Sequence, residues 1–208
     1  MTTKEKILNE ALTLFSMNGY DGVSVKDIAN AVGIKDSSLY KHYKSKYHIF
    51  ETIIQQMANE VGAMHDKLHV PDARKGDVSV NFAEMTDETL VKISQELFLF
   101  YLRDSIVGRL RRLLIIEQYR NSEIAEIYQK IYIDSAIDYQ AEVFRQMIAA
   151  GTFIDGDHYL MALHFYSPIF LLLCKVDNMP QKEEEALRVI KEHVIQFGKI
   201  YRAKNSIE

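Results

Sequence analysis

The chain has 208 residues, 48% hydrophobic and 26% charged, with a formal net charge of −4. That composition excludes a disordered chain and supplies enough apolar surface for one elongated helical domain or two small ones. The single cysteine, Cys174, cannot form an intrachain disulfide, and the opening residues lack the apolar run of a signal peptide, so the expected location is the cytoplasm.

Charge is divided unevenly. Residues 1–50 carry seven lysines against five carboxylates, a net of +2, which leaves −6 for the rest. A basic head on an acidic body has the sign of a nucleic-acid-binding protein. Only Pro71, Pro168 and Pro180 interrupt the chain, so long stretches are free to be helical.

The first apolar pattern, Ile7, Leu8, Ala11, Leu12 and Phe15, spaces one face of a helix. Gly19-Tyr20-Asp21-Gly22 breaks it. Ser24 then caps a second helix, with Asp27 placed to return the bond of a capping box and Val25, Ile28, Ala29 and Val32 facing inward. Gly33 ends that helix, and a third begins near Asp36 or Ser37. Ser45 caps a long fourth helix whose apolar face runs through Phe50, Ile53, Ile54, Met57, Val61, Met64 and Leu68. Val70 to Thr86, with Pro71 and Gly76, reads as a long surface loop. Beyond it the pattern predicts helices near 87–102, 104–119, 122–150, 156–176 and 182–204, with breaks at Asn121-Ser122, Gly151 and Asp177 to Pro180. No strand-period segment or repeat is present. The fold class is therefore all-α.

Two short helices of seven to nine residues, separated by a tight Gly33 turn and braced by their neighbours, form a helix-turn-helix. The second must lie in the major groove while the first crosses the backbone. Lys35-Asp36-Ser37-Ser38-Leu39-Tyr40-Lys41-His42-Tyr43 suits that place: it is rich in hydrogen-bonding and cationic groups, with Leu39 and Tyr43 turned to the core. The run from Gly19 to Ile34, followed by Ser38-Leu39-Tyr40-Lys41-His42-Tyr43-Lys44-Ser45-Lys46, resembles the signature of the TetR family of repressors over about the first fifty residues. The resemblance implies that Tyr40, His42 and Lys46 touch phosphates, that Ser24 and Lys26 do likewise, and that Lys35, Asp36, Ser37, Ser38 and Lys41 face the bases. Two positions depart from the family pattern. Asp36 replaces a basic or neutral residue, where a carboxylate can accept from cytosine N4. His48 stands where the capping box of helix four usually has an acid, which weakens that cap.

The division expected is a helix-turn-helix domain over 1–48 and an effector-binding and dimerisation domain over 49–208. In the last helix Leu187, Ile190, Val194, Phe197 and Tyr201 fall at 3–4–3–4 spacing, the seam of a helix that packs on another. Its acidic first turn and Lys199, Arg202 and Lys204 at its end suit the helix dipole. The helix before it, Tyr159 to Cys174, is apolar nearly all round and is expected to be buried on several sides. The resemblance makes these two helices the interface of a homodimer. It also raises the prospect that aromatics of the body, with Tyr101, Tyr128, Tyr132 and Phe165 as candidates, line a cavity for a small-molecule effector of unknown identity. Arg103, Arg109, Arg111, Arg112 and Arg120 could hold an acidic effector, but pairing with Asp104 and Glu117 is the simpler account.

Enzyme signatures are scarce. There is no Glu-x-x-His and no Gly-x-Ser-x-Gly, and Gly151 to Gly156 has phosphate-loop spacing without the following lysine. His65 and His69 flank Asp66 on helix four, but a solvated helix end is preferred to a metal site. His164 reads as a core or pocket histidine, and Asp134, Asp138 and Glu142 as a wet face. No catalytic residue, cofactor, metal or membrane partner is therefore expected. The function implied is a ligand-responsive dimeric transcriptional regulator, a repressor binding a pseudo-palindromic double-stranded DNA operator. The alternative is a dimeric small-molecule-binding or adaptor protein whose helix-turn-helix does not bind DNA.

Overall fold

The computed structural model describes residues 1–68, 86–103, 106–177 and 179–203. The expected loop from Val70 to Thr86 and the residues His69, Asp104 and Lys204 lie outside that set, Thr86 excepted. In chain order the helices are α1 (Thr3–Asn18), α2 (Val25–Val32), α3 (Asp36–Leu39), α4 (Lys46–Lys67), α5 (Asp87–Arg103), α6 (Val107–Glu117), α7 (Ser122–Gln129), α8 (Ser135–Ala149), α9 (His158–Val176) and α10 (Glu183–Tyr201). No strand occurs among the described residues; a lone antiparallel bridge joins Phe153 and Arg202.

Local chemistry accounts for the helix ends. Thr2 and Ser24 each make a full capping box, with Glu5 and Asp27 as the returning acids. Gly33 ends α2 in the left-handed conformation at φ +78°, where a side chain would be strained. Asp157 caps α9 by accepting from the amides of Tyr159 and Leu160. The long helix expected over 122–150 is interrupted: residues Lys130–Asp134 form a π-helical turn between α7 and α8. That segment contains neither glycine nor proline, so the interruption has no local signal.

The described residues form two compact units. The first comprises Met1–Met64 and Arg103–Gln129, the second His65–Leu102 and Lys130–Glu208. The chain crosses between them within α4, at the end of α5 and at the π turn.

In the first unit, Ile7, Ala11, Leu12 and Phe15 of α1 are buried with Ile28, Leu39, Tyr43, Ile49, Phe50 and Ile53. Phe15, Tyr20 and Phe50 meet pairwise, with ring centroids 5.0 to 6.3 Å apart. Gly19 turns the chain out of α1 at φ +76°, and a Cβ there would stand 2.6 Å from the carboxylate of buried Glu117. Arg109 donates to Thr13 Oγ1 (2.9 Å) and Asn9 Oδ1 (3.0 Å), and Arg111 is fully buried.

In the second unit, α8, α9 and α10 pack around Phe144, Phe153, Phe165 and Phe197. Arg202 closes this core: it donates to Asp87 Oδ1 at 2.7 and 2.9 Å and lies over the Phe153 ring.

Candidate nucleic-acid interface

Eight of the ten residues expected to meet DNA are exposed: Ser24, Lys26, Lys35, Asp36, Ser37, Tyr40, Lys41 and His42. Ser38 and Lys46 are half-buried. The burial pattern separates reading residues from supporting ones within one short segment. Leu39 is 0% and Tyr43 1% exposed, whereas Tyr40 between them is 53% exposed.

Each supporting residue has a visible task. The Tyr43 hydroxyl donates to the Lys4 carbonyl at 3.4 Å, which ties the end of the reading segment to α1. Ser24 Oγ accepts from the Asp27 amide at 3.1 Å and donates to its carboxylate at 2.6 Å. These bonds, the side-chain one foremost, hold the Asp27 carboxyl below its ordinary pKa.

α3 is shorter than the expected seven to nine residues. It is α-helical over Asp36–Leu39 and continues to Tyr43 through tighter turns, with Lys41 N–H donating to Ser38 O and His42 N–H to Leu39 O. Tightening of a last turn satisfies carbonyls that have no further helical partner.

The start of α4 departs from expectation in a second way. Ser45 Oγ accepts from the His48 amide at 3.0 Å, as a cap should. His48 Nδ1 in turn accepts from the Lys44 amide at 3.2 Å. The imidazole thus returns a bond one residue ahead of the cap, and the cap does not lack a reciprocal partner.

Lys46, first residue of α4, points its ammonium at Tyr20. Nζ donates to the Tyr20 carbonyl at 2.9 Å and stands 4.3 Å from the centre of its ring. Burial, with Asp21 next, pushes the Tyr20 phenol above its ordinary pKa, so the ring remains neutral under the cation. Lys46 therefore braces the α1–α2 turn as well as presenting a cation at the head of α4.

Residues 7–53 match the sequence profile described as bacterial regulatory proteins, tetR family. Over this N-terminal segment the chain is similar to the tetR family.

The biofilm operon icaADBC HTH-type negative transcriptional regulator IcaR of Staphylococcus aureus strain Newman is 50% identical over 52 residues, 25% of this chain and 28% of that protein. Its Staphylococcus epidermidis counterpart is 45% identical over 56 residues, 27% of this chain and 30% of that protein. The chain thus spans under a third of the length of these curated relatives. Solved structures extend the likeness across the body as fold alone. A Mesorhizobium loti chain classed as a tetR-family transcriptional regulator superposes with TM-score 0.72 at 20% identity, over 97% of both chains. A triclosan complex of SmeT gives TM-score 0.63 at 18% identity, over 100% of this chain and 95% of that one. The fatty acid degradation regulator FadR of Bacillus halodurans gives 0.67 at 14%, over 95% of each. The IcaR proteins, the Mesorhizobium loti chain and FadR are all named as regulators.

Outside the head, the expected sites fare differently. The seam assigned to the dimer faces inward: Ile190, Val194 and Phe197 are 0–1% exposed and lie in the core of the second unit, with Leu187 and Tyr201 packed against it. The 3–4 spacing on α10 reports packing on α8 and α9 of the same chain. The open face belongs to α9, which is not buried all round. Met161, Ala162, Phe165, Leu173 and Val176 are buried, but Leu160, His164, Ser167, Leu171 and Cys174 form an exposed stripe at 4–3–4–3 spacing. His164 is accordingly not a core residue; its Nδ1 lies 3.0 Å from the Tyr201 hydroxyl. α9 is long and apolar enough by composition to cross a membrane, but that one face packs within the unit.

Of the four effector candidates, Tyr101, Tyr132 and Phe165 lie in the second unit and Tyr128 in the first. Tyr101 and Tyr132 meet edge-on, with ring centroids 6.3 Å apart. Phe165 belongs to the Phe144–Phe197 cluster, and Tyr128 to the first unit. Two open cavities lie elsewhere. One of about 420 Å³ in the first unit is lined by Leu8, Leu12, Ile53, Gln56 and Arg109 among others. Another of about 350 Å³ in the second is bordered by Lys67, Leu68, Glu88 and Lys92. His65 packs against Tyr139, and no metal-ligand cluster occurs among the described residues.

Proposed function

We propose that the protein is a dimeric, ligand-responsive repressor that binds a pseudo-palindromic operator through residues 1–48. Residues 49–208 provide the dimer contact and the effector response. The observation that carries this reading is the exposure of Tyr40, Lys41 and His42 around the buried anchors Leu39 and Tyr43. Such a segment holds donors and cations rigidly outward, as major-groove reading requires. Its curated likeness is to a negative regulator, which favours repression over activation.

A helix-turn-helix monomer reaches one half-site, and two-fold operators call for two-fold proteins. The face proposed for the partner copy is the α9 stripe from Leu160 to Cys174. Leu160 and Leu171 are 59% and 68% exposed there, on one helix face that a partner copy would cover. The effector is placed in the second unit, where Tyr101 and Tyr132 meet; neighbours of the same fold include a triclosan complex.

The experiment is selection of bound fragments from the parent genome, followed by gel shifts over a salt series. A regulator retains one fragment family against competitor DNA, with affinity falling as salt rises. An adaptor with an idle helix-turn-helix retains none.

A further inference from the structure

We infer that His48 is a pH-sensitive positioning residue for DNA reading: its neutral imidazole locks the link between α3 and α4, and protonation releases that lock and weakens operator binding. This rests on the DNA-binding reading above and names a regulator of the same site.

One hydrogen bond fixes the tautomer. The Lys44 amide can only donate, so the nitrogen 3.2 Å from it, His48 Nδ1, must turn its lone pair toward it. The ring proton of the neutral form is then on Nε2. A second proton puts an N–H on Nδ1, and two donors face each other across the same distance. The bond is lost outright, not merely weakened.

The ring is placed where that loss matters. His48 is half-buried, and its ring meets Tyr43 edge-on with centroids 5.5 Å apart. Tyr43 is the buried anchor that closes the reading segment, and its hydroxyl donates to the Lys4 carbonyl of α1. Tyr40, Lys41 and His42 precede it directly, all exposed. One imidazole therefore packs on the anchor and holds the amide that follows it. The other bond of this residue does not respond to charge: the His48 amide donates to Ser45 Oγ whatever the state of the ring. α4 keeps its cap while the link after Tyr43 is freed.

The surroundings offer the added proton little compensation. Lys44 and Lys46 flank the ring in the chain, and the Lys4 ammonium stands 5.6 Å from the centre of the Tyr43 ring on which His48 packs. Burial pushes the Tyr43 phenol up to about 12, so it stays neutral. Tyr47 and Glu51 share the first turns of α4; Glu51, three residues on, is the nearest acid in sequence, and both act on Tyr20. His48 is the third residue of α4, where the helix dipole disfavours a cation. An acid at this position, as in the family pattern, accepts without changing charge between pH 5 and 8; an imidazole does change.

The test uses the full chain, a labelled fragment retained in the genomic selection, and a random duplex of equal length. The ratio of the two affinities cancels the general gain of positive charge on acidification. Between pH 7.5 and pH 5.5 that ratio should fall about threefold per head, as for one hydrogen bond, and about tenfold for a dimer on two half-sites. His48→Gln keeps an acceptor that does not titrate and should hold the ratio within about twofold across the range. His48→Leu lacks the acceptor and should show, at pH 7.5, the low ratio of the parent at pH 5.5. A merely structural role predicts no such convergence. In the unmodified chain, nitrogen NMR should find Nδ1 of His48 unprotonated at pH 7.5, and the Lys44 amide should shift as the imidazole titrates; this arm does not depend on a variant folding. A ratio that stays flat in the parent, an equal fall in His48→Gln, or a proton on Nδ1 at pH 7.5 overturns the assignment. A ratio that rises with acid, and loses that rise in His48→Gln, makes the imidazole a phosphate contact and overturns it too. If the parent retains no fragment at any pH, the DNA-binding reading falls; a Lys44 amide that shifts with His48 still upholds the lock, and one that does not overturns it.

Discussion

Leu160→Asp with Leu171→Asp should turn the protein into a folded monomer. The two leucines are 59% and 68% exposed in the single chain. Fully burying a leucine stabilises by about 1.5–3 kcal/mol, so the accessible part of each contributes about 1–2 kcal/mol in a partner contact. A two-fold axis places each side chain in the interface twice, which gives about 4–8 kcal/mol from the four leucines, or about three to six powers of ten in the dissociation constant. Uncompensated carboxylates on an apolar face add to the loss. Sedimentation velocity from nanomolar to micromolar protein reads the dissociation constant, and far-UV circular dichroism reads the fold. Phe197→Ala is the contrast. Phe197 is 1% exposed inside the second unit, and its truncation should lower stability by about 3–5 kcal/mol through a cavity. A double aspartate variant that dimerises like the parent would refute the α9 interface.

Lys46→Met should weaken binding to every DNA sequence about equally and lower the salt slope by about one ion, read by gel shift across a salt series. The same variant loses the bond to the Tyr20 carbonyl, so its melting temperature should also fall. Ser24→Ala should cost about 1 kcal/mol of stability in denaturant titration and let the Asp27 carboxyl rise toward its ordinary pKa, followed by NMR. Burial, reinforced by neighbouring His164, lowers the His193 pKa in the folded chain. The unfolded chain therefore takes up that proton first, and stability is lost as pH falls from the ordinary histidine value near 6.5 toward the lowered one; His193→Gln should flatten that part of a melting-temperature profile. The Glu142 carboxyl is held at about 2, chiefly by hydrogen bonds from Arg145 and then Gln146, and Arg145→Ala should raise it, as a carboxyl carbon NMR titration would show.

The head was legible because its geometry is local. Ser24 with Asp27, Gly33, and Leu39 with Tyr43 each act within four residues, and caps, turns and helix faces are written at that range. What sequence could not carry there is long-range. The Lys46 ammonium reaches a carbonyl 26 positions away, and Gly19 is shaped by Glu117 from α6. His48 was misjudged because the family pattern names an acid; an imidazole nitrogen accepts a hydrogen bond equally well. The π turn left no trace in Lys-Ile-Tyr-Ile-Asp because Tyr166, 34 residues on, holds it.

The α10 seam assigned to a partner copy is buried within its own unit, which separates periodicity from partner. A 3–4 apolar repeat says that a helix packs on something, and the buried part of the α10 repeat packs within the second unit, on α5, α8 and α9. α9 reads as buried on several sides because its average hydropathy is high, yet averaging hides the stripe Leu160, His164, Ser167, Leu171 and Cys174, which mixes apolar and polar side chains at the same 4–3 interval. Such mixing fits a surface that must tolerate water before a partner arrives and exclude it afterwards. It also puts the His164–Tyr201 hydrogen bond at the edge of the proposed interface, with His193 behind it, their ring centroids 5.9 Å apart. Protonation of His193 as pH falls would place positive charge behind the face that two copies present to each other across the two-fold axis. Dimer affinity should therefore weaken as pH falls below the ordinary histidine range, and His193→Gln should blunt the effect. A dissociation constant from sedimentation that stays flat between pH 7.5 and pH 5.5, with the fold intact by circular dichroism, would place His193 outside the contact.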